Sequence, residues 1–434
     1  MSYIAARFIA AMSAALFWFC ASASQAQSAE VIPQAASQAA PIDILWHKAM
    51  GTSENNEMAR DIIALDEGGA VLAYHQNGSG ARLRRIDEAG KIIWDMVLAD
   101  KDEGYFPRLL AITVTEDGSI IGVGHVHQRP AGSEGKKQFQ PFAAKISRGG
   151  ELVWRKHYTM HYPTMFSDVE VTQDGHFIFA GQMGMPYVFF GGGVHVIKTD
   201  ADGNRLWYKT VGPYWSKTSS IPYYFSSMAL DRQDEILINA RYGGGKVKTS
   251  VHDDMVQILA RISQKGQLLS EAKFPGERWE IANDAVVDSG NNMIVGGYKT
   301  FEDVTQNGIY LSSFTSSDKV KWETVINEPV TGSLSALKQL ENGDLIGAGS
   351  APIASEIRRD DPARFRDIIV VSLSNDGQLL WSKQYSNLAK FGVEAMDISK
   401  DGKLWMLGSI GNKRPGAADL YVAKFALKNG EVLD

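Results

Sequence analysis

Three groups of residues in this sequence have the types and spacing that chemistry needs. The first lies at the borders of alternating apolar segments. Arg60, Asp61, Arg108, Asp168, Asn283, Asp284 and Glu394 open such segments, and Tyr74, His125, Gln182, Arg241 and Tyr298 close others. Opposed carboxylates beside arginine and histidine can exchange protons with a substrate or grip an acidic sugar. On that chemistry Asp168, Asp284, Glu394, Arg108 and His125 are the candidate catalytic residues. Arg60, Arg241 and Tyr298 are candidate ligand contacts. A solvated or mutually paired set of charges is the plainer alternative.

The second group is His125 with His127. Side chains alternate along a strand, so an H-x-H pair places both rings on one face, as two metal ligands require. His75, His157 and His161 could supply a third ligand. A divalent metal is thus a possible cofactor, and no other is expected; two hydrogen-bonding histidines in a polar segment would look the same.

The third group is aromatic. Segment 155–167 carries Tyr158, Tyr162 and Phe166, and segment 183–193 carries Tyr187, Phe189 and Phe190. Segment 208–226 carries Tyr214, Trp215, Tyr223, Tyr224 and Phe225, and Trp279 follows in 271–283. Large rings with polar edges can stack on sugars, anchor a protein partner, or pack their own loops into place. Trp215 and Trp279 are the candidate ligand platforms. The run Arg241-Tyr242-Gly243-Gly244-Gly245-Lys246 has a superficial phosphate-loop look, but Val247 follows the lysine and no helical pattern comes after, which excludes that chemistry.

The elements that position these groups are set by a repeat. A polar residue, glycine, spaced apolar residues and tryptophan recur as EAGKIIW ending at Trp94, RGGELVW at Trp154, ADGNRLW at Trp207 and NDGQLLW at Trp381. Weaker copies are QKGQLLS ending at Ser270 and SDKVKW ending at Trp322, with DILW at Trp46 before them and KNGEVLD at Asp434 after. Successive intervals are 48, 60, 53, 63, 52, 59 and 53 residues, so seven units fill the chain from Trp46 onward. Within each unit, alternating apolar runs are broken by D-G or N-G turns, as in AITVTEDGSIIGVGH (111–125) and MDISKDGKLWMLGS (396–409). Such runs are antiparallel hairpins, and four-stranded units of roughly 50 residues repeated in series predict a β-propeller. Ile44–Lys48 matches Leu379–Lys383, the fourth strand of a unit, yet lacks strands before it. Residues 42–49 are therefore expected to complete the last blade and close the ring. The expected fold is all-β, a single seven-bladed propeller over 42–434.

Composition bounds the rest. Residues 1–26 have the charged, apolar and small-residue order of a cleavable signal peptide, and 27–41 read as a flexible lead-in. The chain is expected to be periplasmic or secreted, with no membrane span, since no later segment approaches roughly 18 consecutive apolar residues. Cys20 is the only cysteine, so beyond residue 26 there are no disulfides, thiolate nucleophiles or cysteine-ligated metal. The net charge of −6 and the lack of long basic runs argue against nucleic acid.

The tryptophan and D-G phrases over 42–434 resemble the repeats of bacterial extracytoplasmic PQQ-like propellers. That superfamily includes quinoprotein alcohol dehydrogenases and the periplasmic propeller lipoprotein of outer-membrane assembly. The resemblance implies the fold. The vicinal cysteines of the dehydrogenases have no counterpart here, and Phe19 stands where a lipobox needs a small residue.

Topology predicts the working face. The turns joining first to second and third to fourth strands are tight everywhere, while the other connections, on the opposite face, carry the length variation and the aromatic groups. Long variable loops on a rigid scaffold are where binding resides. Three functions compete: a propeller that binds, or binds and cleaves, a polysaccharide or oligosaccharide, in the second case as a glycoside hydrolase or polysaccharide lyase; an interaction scaffold for an envelope protein; and a metal-dependent hydrolase or oxidoreductase.

Overall fold

Alternating segments cut by polar–glycine pairs leave the backbone one economical solution, a chain of antiparallel strands. A computed structural model describes residues 42–51, 56–98, 107–128, 138–160, 164–183, 192–212, 223–243, 255–275, 280–300, 307–351, 367–386, 391–411 and 418–427. Every regular element among them is a strand. None is a helix long and apolar enough to cross a membrane.

The strand β1 (Ile42–Ala49) precedes the first blade. Blade 1 is β2 (Glu57–Ala64), β3 (Ala70–Gln76), β4 (Gly80–Ile86) and β5 (Ile92–Val97). Blade 2 is β6 (Pro107–Val114), β7 (Ile120–Gln128), β8 (Gln138–Ile146) and β9 (Leu152–His157). Blade 3 is β10 (Asp168–Val171), β11 (Phe177–Gln182), β12 (Val194–Thr199) and β13 (Arg205–Val211). Blade 4 is β14 (Tyr223–Leu230), β15 (Ile236–Gly243), β16 (Met255–Ile262) and β17 (Leu268–Pro275). Blade 5 is β18 (Glu280–Val287), β19 (Met293–Thr300), β20 (Asn307–Phe314) and β21 (Val320–Ile326). Blade 6 is β22 (Ser333–Gln339), β23 (Leu345–Ser350), β24 (Ile368–Leu373) and β25 (Leu379–Tyr385). Blade 7 is β26 (Phe391–Ile398), β27 (Lys403–Gly411) and β28 (Ala418–Leu427), and its fourth strand is β1.

The predicted closure is therefore present. β1 pairs antiparallel with β28, from Ile42 opposite Leu427 to Ala49 opposite Tyr421. Trp46 then reaches into blade 1, where its indole N–H donates to the Glu88 carbonyl at 3.0 Å. One strand thus finishes the last blade and ties it to the first, removing an open edge. Residues 1–41, including the expected signal segment and lead-in, lie outside the described residues.

The tryptophan phrase is a blade-to-blade lock. Trp94 of blade 1 donates to the Arg148 carbonyl in the blade 2 turn at 3.1 Å, Trp207 of blade 3 to Gln264 at 2.9 Å, and Trp322 of blade 5 to Asn375 at 3.2 Å. Each ring lies on the glycine of the turn it reaches. A Cβ on Gly150 would come within 2.8 Å of Trp94, and one on Gly203 or Gly266 within 2.9 Å of Trp154 or Trp207. The two weak copies of the phrase are one compensated exchange. Ser270 replaces the tryptophan of blade 4, and Asp318, with φ of 56°, replaces the glycine of the facing turn in blade 5. Arg261 bridges the gap, donating to Asp318 at 2.9 Å and to the Thr315 carbonyl at 3.0 Å.

The hydrophobic core lies between blades. One cluster joins Leu83 and Ala73 of blade 1 to Leu109, Phe142 and Ile146 of blade 2. Another joins Ile121 and Val123 of blade 2 to Phe177, Phe179 and Ile197 of blade 3. Apolar residues on both faces of each sheet explain why second and third strands read as continuous apolar runs.

Candidate functional site

The first strands of successive blades contact one another around the ring and line its central channel. At the long-loop end of these strands the ladder slips by one residue in six blades. The slips fall between Ala59 and Asp61, Leu109 and Ala111, Phe225 and Ser227, Ala282 and Asp284, Leu334 and Ala336, and Val393 and Ala395. The extra residues are Arg60, Leu110, Ser226, Asn283, Ser335 and Glu394. A bulge re-aims its side chain, and so Arg60 and Glu394 are presented at the channel mouth by the same backbone device.

Just inside the mouth sit the predicted aspartates, in alternate blades. Asp61, Asp168 and Asp284 occupy one register position, opposite Ala73, Ala180 and Gly296. Each is a clamp. Asp61 accepts from Ile62 N–H and, across to blade 2, from Ile112 N–H, both at 2.8 Å. Asp168 accepts from Val169 and from Met228 of blade 4, and Asp284 from Ala285 and from Leu337 of blade 6, all at 2.8 Å. The inner edge of a blade has unpaired N–H groups, and the aspartates satisfy them. In blade 7 the same relation appears two residues later: Asp397 accepts from Ala64 of blade 1 at 2.9 Å.

The next tier holds Glu170, Lys338 and Asp397, which the sequence reading did not single out. Lys338 pairs with Asp397 at 3.1 Å. The signal was available, because Lys338 and Glu170 fall on the channel side of first strands, but a lone charge in an alternating run ordinarily means solvent. Burial pushes the Asp61 carboxyl up to about 7, against its backbone donors and Lys338. Burial and neighbouring Glu170 push Asp168 up to about 8. Burial pushes Glu170 up to about 7, with Lys338 opposing, and burial also raises Asp284. Asp397, outweighing burial, holds Lys338 above the ordinary lysine range.

Above this acidic interior the mouth is cationic. Arg60 and the exposed Arg108 stand on neighbouring first strands, and His75 is on β3 opposite Met58. Among the described residues Arg60 and Arg108 make no hydrogen bond or ion pair, and the buried Nε of Arg60 and Nδ1 of His75 have no partner. Burial pushes the Arg60 guanidinium below its ordinary value; Glu394 opposes this and Arg108 adds to it. Burial, then Arg108 and Arg60, bring His75 down to about 4, so its ring is neutral at pH 7. Burial raises the Glu394 carboxyl, against the pull of Arg60. Blades 4 and 5 carry a second cation. Arg241 on β15 faces the Tyr224 ring at 5.2 Å, with Tyr298 of β19 nearby, and its buried Nε also lacks a partner.

Several expected site residues lie elsewhere. Tyr74 is not at the rim. It is fully buried within blade 1, where its hydroxyl donates to Asp95 at 3.0 Å and accepts from Arg84 at 2.9 Å. Tyr158 and Phe166 are core, packed with Phe179 between blades 2 and 3 at centroid separations of 5.4 to 5.8 Å. For these two the packing alternative holds, because the wedge between blades 2 and 3 needs apolar filling. Tyr223, Tyr224 and Phe225 belong to β14 rather than to a loop. His125 is buried with its ring edge-on to Phe139 at 4.7 Å, and His157 is exposed at the end of β9. The side chain of His127, and His161, Tyr162, Tyr187, Phe189, Phe190, Tyr214, Trp215 and Trp279, lie outside the described residues. Among the described residues no three His, Cys, Asp or Glu side chains are grouped to hold a metal ion. A depression of about 390 Å³ lies on the tight-turn face, lined by Asp231, Asp288 and Asn342. Asp231 and Asp288 accept from backbone N–H groups of their own turns.

Ring, blade order and closure define a seven-bladed β-propeller. No family model and no curated protein sequence matches the chain. Among solved structures, the polysaccharide lyase Uly1 is similar with a TM-score of 0.54 at 10% identity, over 88% of this chain and 99% of that one. A protein of unknown function from Dyadobacter fermentans has a TM-score of 0.47 at 12% identity, covering 89% and 99%. An α-L-arabinofuranosidase from Fusarium graminearum has 0.47 at 11%, covering 78% and 96%. At such identities the likeness is one of fold.

Proposed function

We propose that this chain is an exported propeller that binds a glycan across the long-loop mouth of its channel. The observation that carries the reading is the set of donors at that mouth, Arg60, Arg108 and His75, held on rigid strands with hydrogen-bonding capacity that the described residues leave unused. Buried polar atoms without partners are costly, and a ligand rich in oxygen acceptors relieves that cost. Sugars present such acceptors together with flat faces suited to rings such as Tyr224. A polysaccharide lyase built on a similar ring is consistent with this use of the fold. Catalysis at the mouth would fall to Glu394 rather than to Asp168 or Asp284, whose oxygens are already engaged by backbone N–H groups.

A glycan array probed with residues 27–434 tests the reading, with Arg60→Ala alongside. Retention of a defined glycan set by the parent, and its loss in the variant, is expected. No retention, or equal retention by both, refutes it. The scaffold reading is favoured by a different observation: outer strands expose Ile92, Ile93, Leu152, Val153, Leu206, Leu268 and Leu269. It predicts partners that survive Arg60→Ala and are lost on replacing these residues with serine.

A further inference from the structure

The mouth carries cations on two sides of the ring, and neither has a carboxylate bonded to it among the described residues. On one side Arg60 and Arg108 project from blades 1 and 2, with Glu394 close enough to act on Arg60 through its field but not in an ion pair. On the other, Arg241 of blade 4 is flanked by the hydroxyl-bearing rings of Tyr224 and Tyr298. In a seven-membered ring, blades 4 and 5 stand across the channel from blade 1. Elsewhere in this protein partly buried arginines are matched: Arg82 and Arg84 both bind Asp95, and Arg261 binds Asp318. Among the described residues, Arg60 and Arg241 at the mouth have no such carboxylate.

We propose, building on the glycan reading, that the ligand is a carboxylated glycan, with one uronate carboxylate held by Arg60 and Arg108 and another by Arg241. A guanidinium offers two parallel N–H groups in one plane, the match for a carboxylate's two oxygens. His75, neutral at pH 7, adds a hydrogen-bonding group to the first subsite without a competing charge. Two subsites on opposite sides select a chain with repeated carboxylates over a single acid.

The test is titration calorimetry on residues 27–434 with hexamers of galacturonate, mannuronate and glucuronate, each beside its carboxyl-reduced counterpart, and with a sulfated galactan. Expected is binding of at least one uronate hexamer, weakened at least tenfold by carboxyl reduction, by Arg60→Gln and by Arg241→Gln, and weakened by added salt. Arg60→Gln keeps the parent melting temperature, since among the described residues Arg60 makes no hydrogen bond or ion pair, and Arg241→Gln stays folded, losing only the contact with the Tyr224 ring. Equal affinity for a hexamer and its reduced counterpart overturns the carboxylate inference while leaving the glycan reading intact. Tighter binding of the sulfated galactan overturns it in favour of sulfate. If the array retains neutral glycans and no uronate hexamer binds, the inference falls alone; if the array retains nothing, the glycan reading falls with it.

Discussion

Replacing Asp284 with alanine should weaken the whole ring although the residue faces the channel. Its two oxygens accept from Ala285 N–H and from Leu337 N–H of the next blade, each at 2.8 Å. Truncation leaves two inner-edge amides without that acceptor. A buried donor left unsatisfied costs about 1–3 kcal/mol. The carboxyl is half-buried beside a channel that water can enter, so the lower end applies, and the expected loss is about 2–3 kcal/mol. Asp284→Asn keeps one acceptor oxygen and turns an N–H₂ group toward the other amide, so about half that loss is expected. Urea unfolding at pH 7 followed by tryptophan fluorescence measures both, with the midpoint falling at an unchanged slope. Native-state hydrogen exchange should show Leu337 N–H less protected in the alanine variant. If Asp284→Ala unfolds within about 0.5 kcal/mol of the parent, as an ordinary surface substitution would, the clamp is not a structural interaction and the aspartates are free for other roles.

The tryptophan lock predicts that Gly266→Ala, whose Cβ would meet Trp207, costs about 1–3 kcal/mol more than Gly175→Ala, which has similar positive φ and open space; equal melting temperatures would show that only backbone strain matters. Deleting residues 27–50 should lower the melting temperature sharply, because blade 7 loses its outer strand and the Trp46 bond to blade 1; an unchanged melt would mean closure does not need β1. Stability should also depend on pH in a defined direction. Asp61, Asp168 and Glu170, raised to about 7, 8 and 7, hold protons in the folded state that the unfolded chain releases near pH 4. Their contribution is full below about pH 4 and is lost as pH rises through 7 to 8. Thermal melts across pH 5–9 should show the decline, and Glu170→Gln, which removes one of these protons, should flatten it; an identical slope in the variant would contradict the assignment.

The fold was legible because its locking device is written into local sequence. Each glycine–tryptophan phrase is half of a contact with the next blade, so the repeat marks the blades and the stray Trp46 marks the closure. What looked like decay at Ser270 and Asp318 was not legible, since only the structure shows Arg261 spanning from one to the other. The site was half legible. The place of Arg60, Arg108, Arg241 and Glu394 at the channel mouth could be read from their position at strand ends. The clamping role of Asp61, Asp168 and Asp284 was not, because the same position serves a side chain facing a ligand or one folded back on two N–H groups. Tyr74, Tyr158 and Phe166 misled for a related reason: an aromatic beside a loop can point to solvent or into the wedge between blades, and the sequence around it is the same.

A crystal structure of residues 27–434 with the tightest ligand from the array tests directly whether the long-loop mouth is the binding site. Sugar density is expected across the long-loop mouth, with oxygens within hydrogen-bonding distance of the Arg60 guanidinium and a ring near Tyr224. Density on the tight-turn face or along the outer strands, with Arg60 uncontacted, would contradict that expectation.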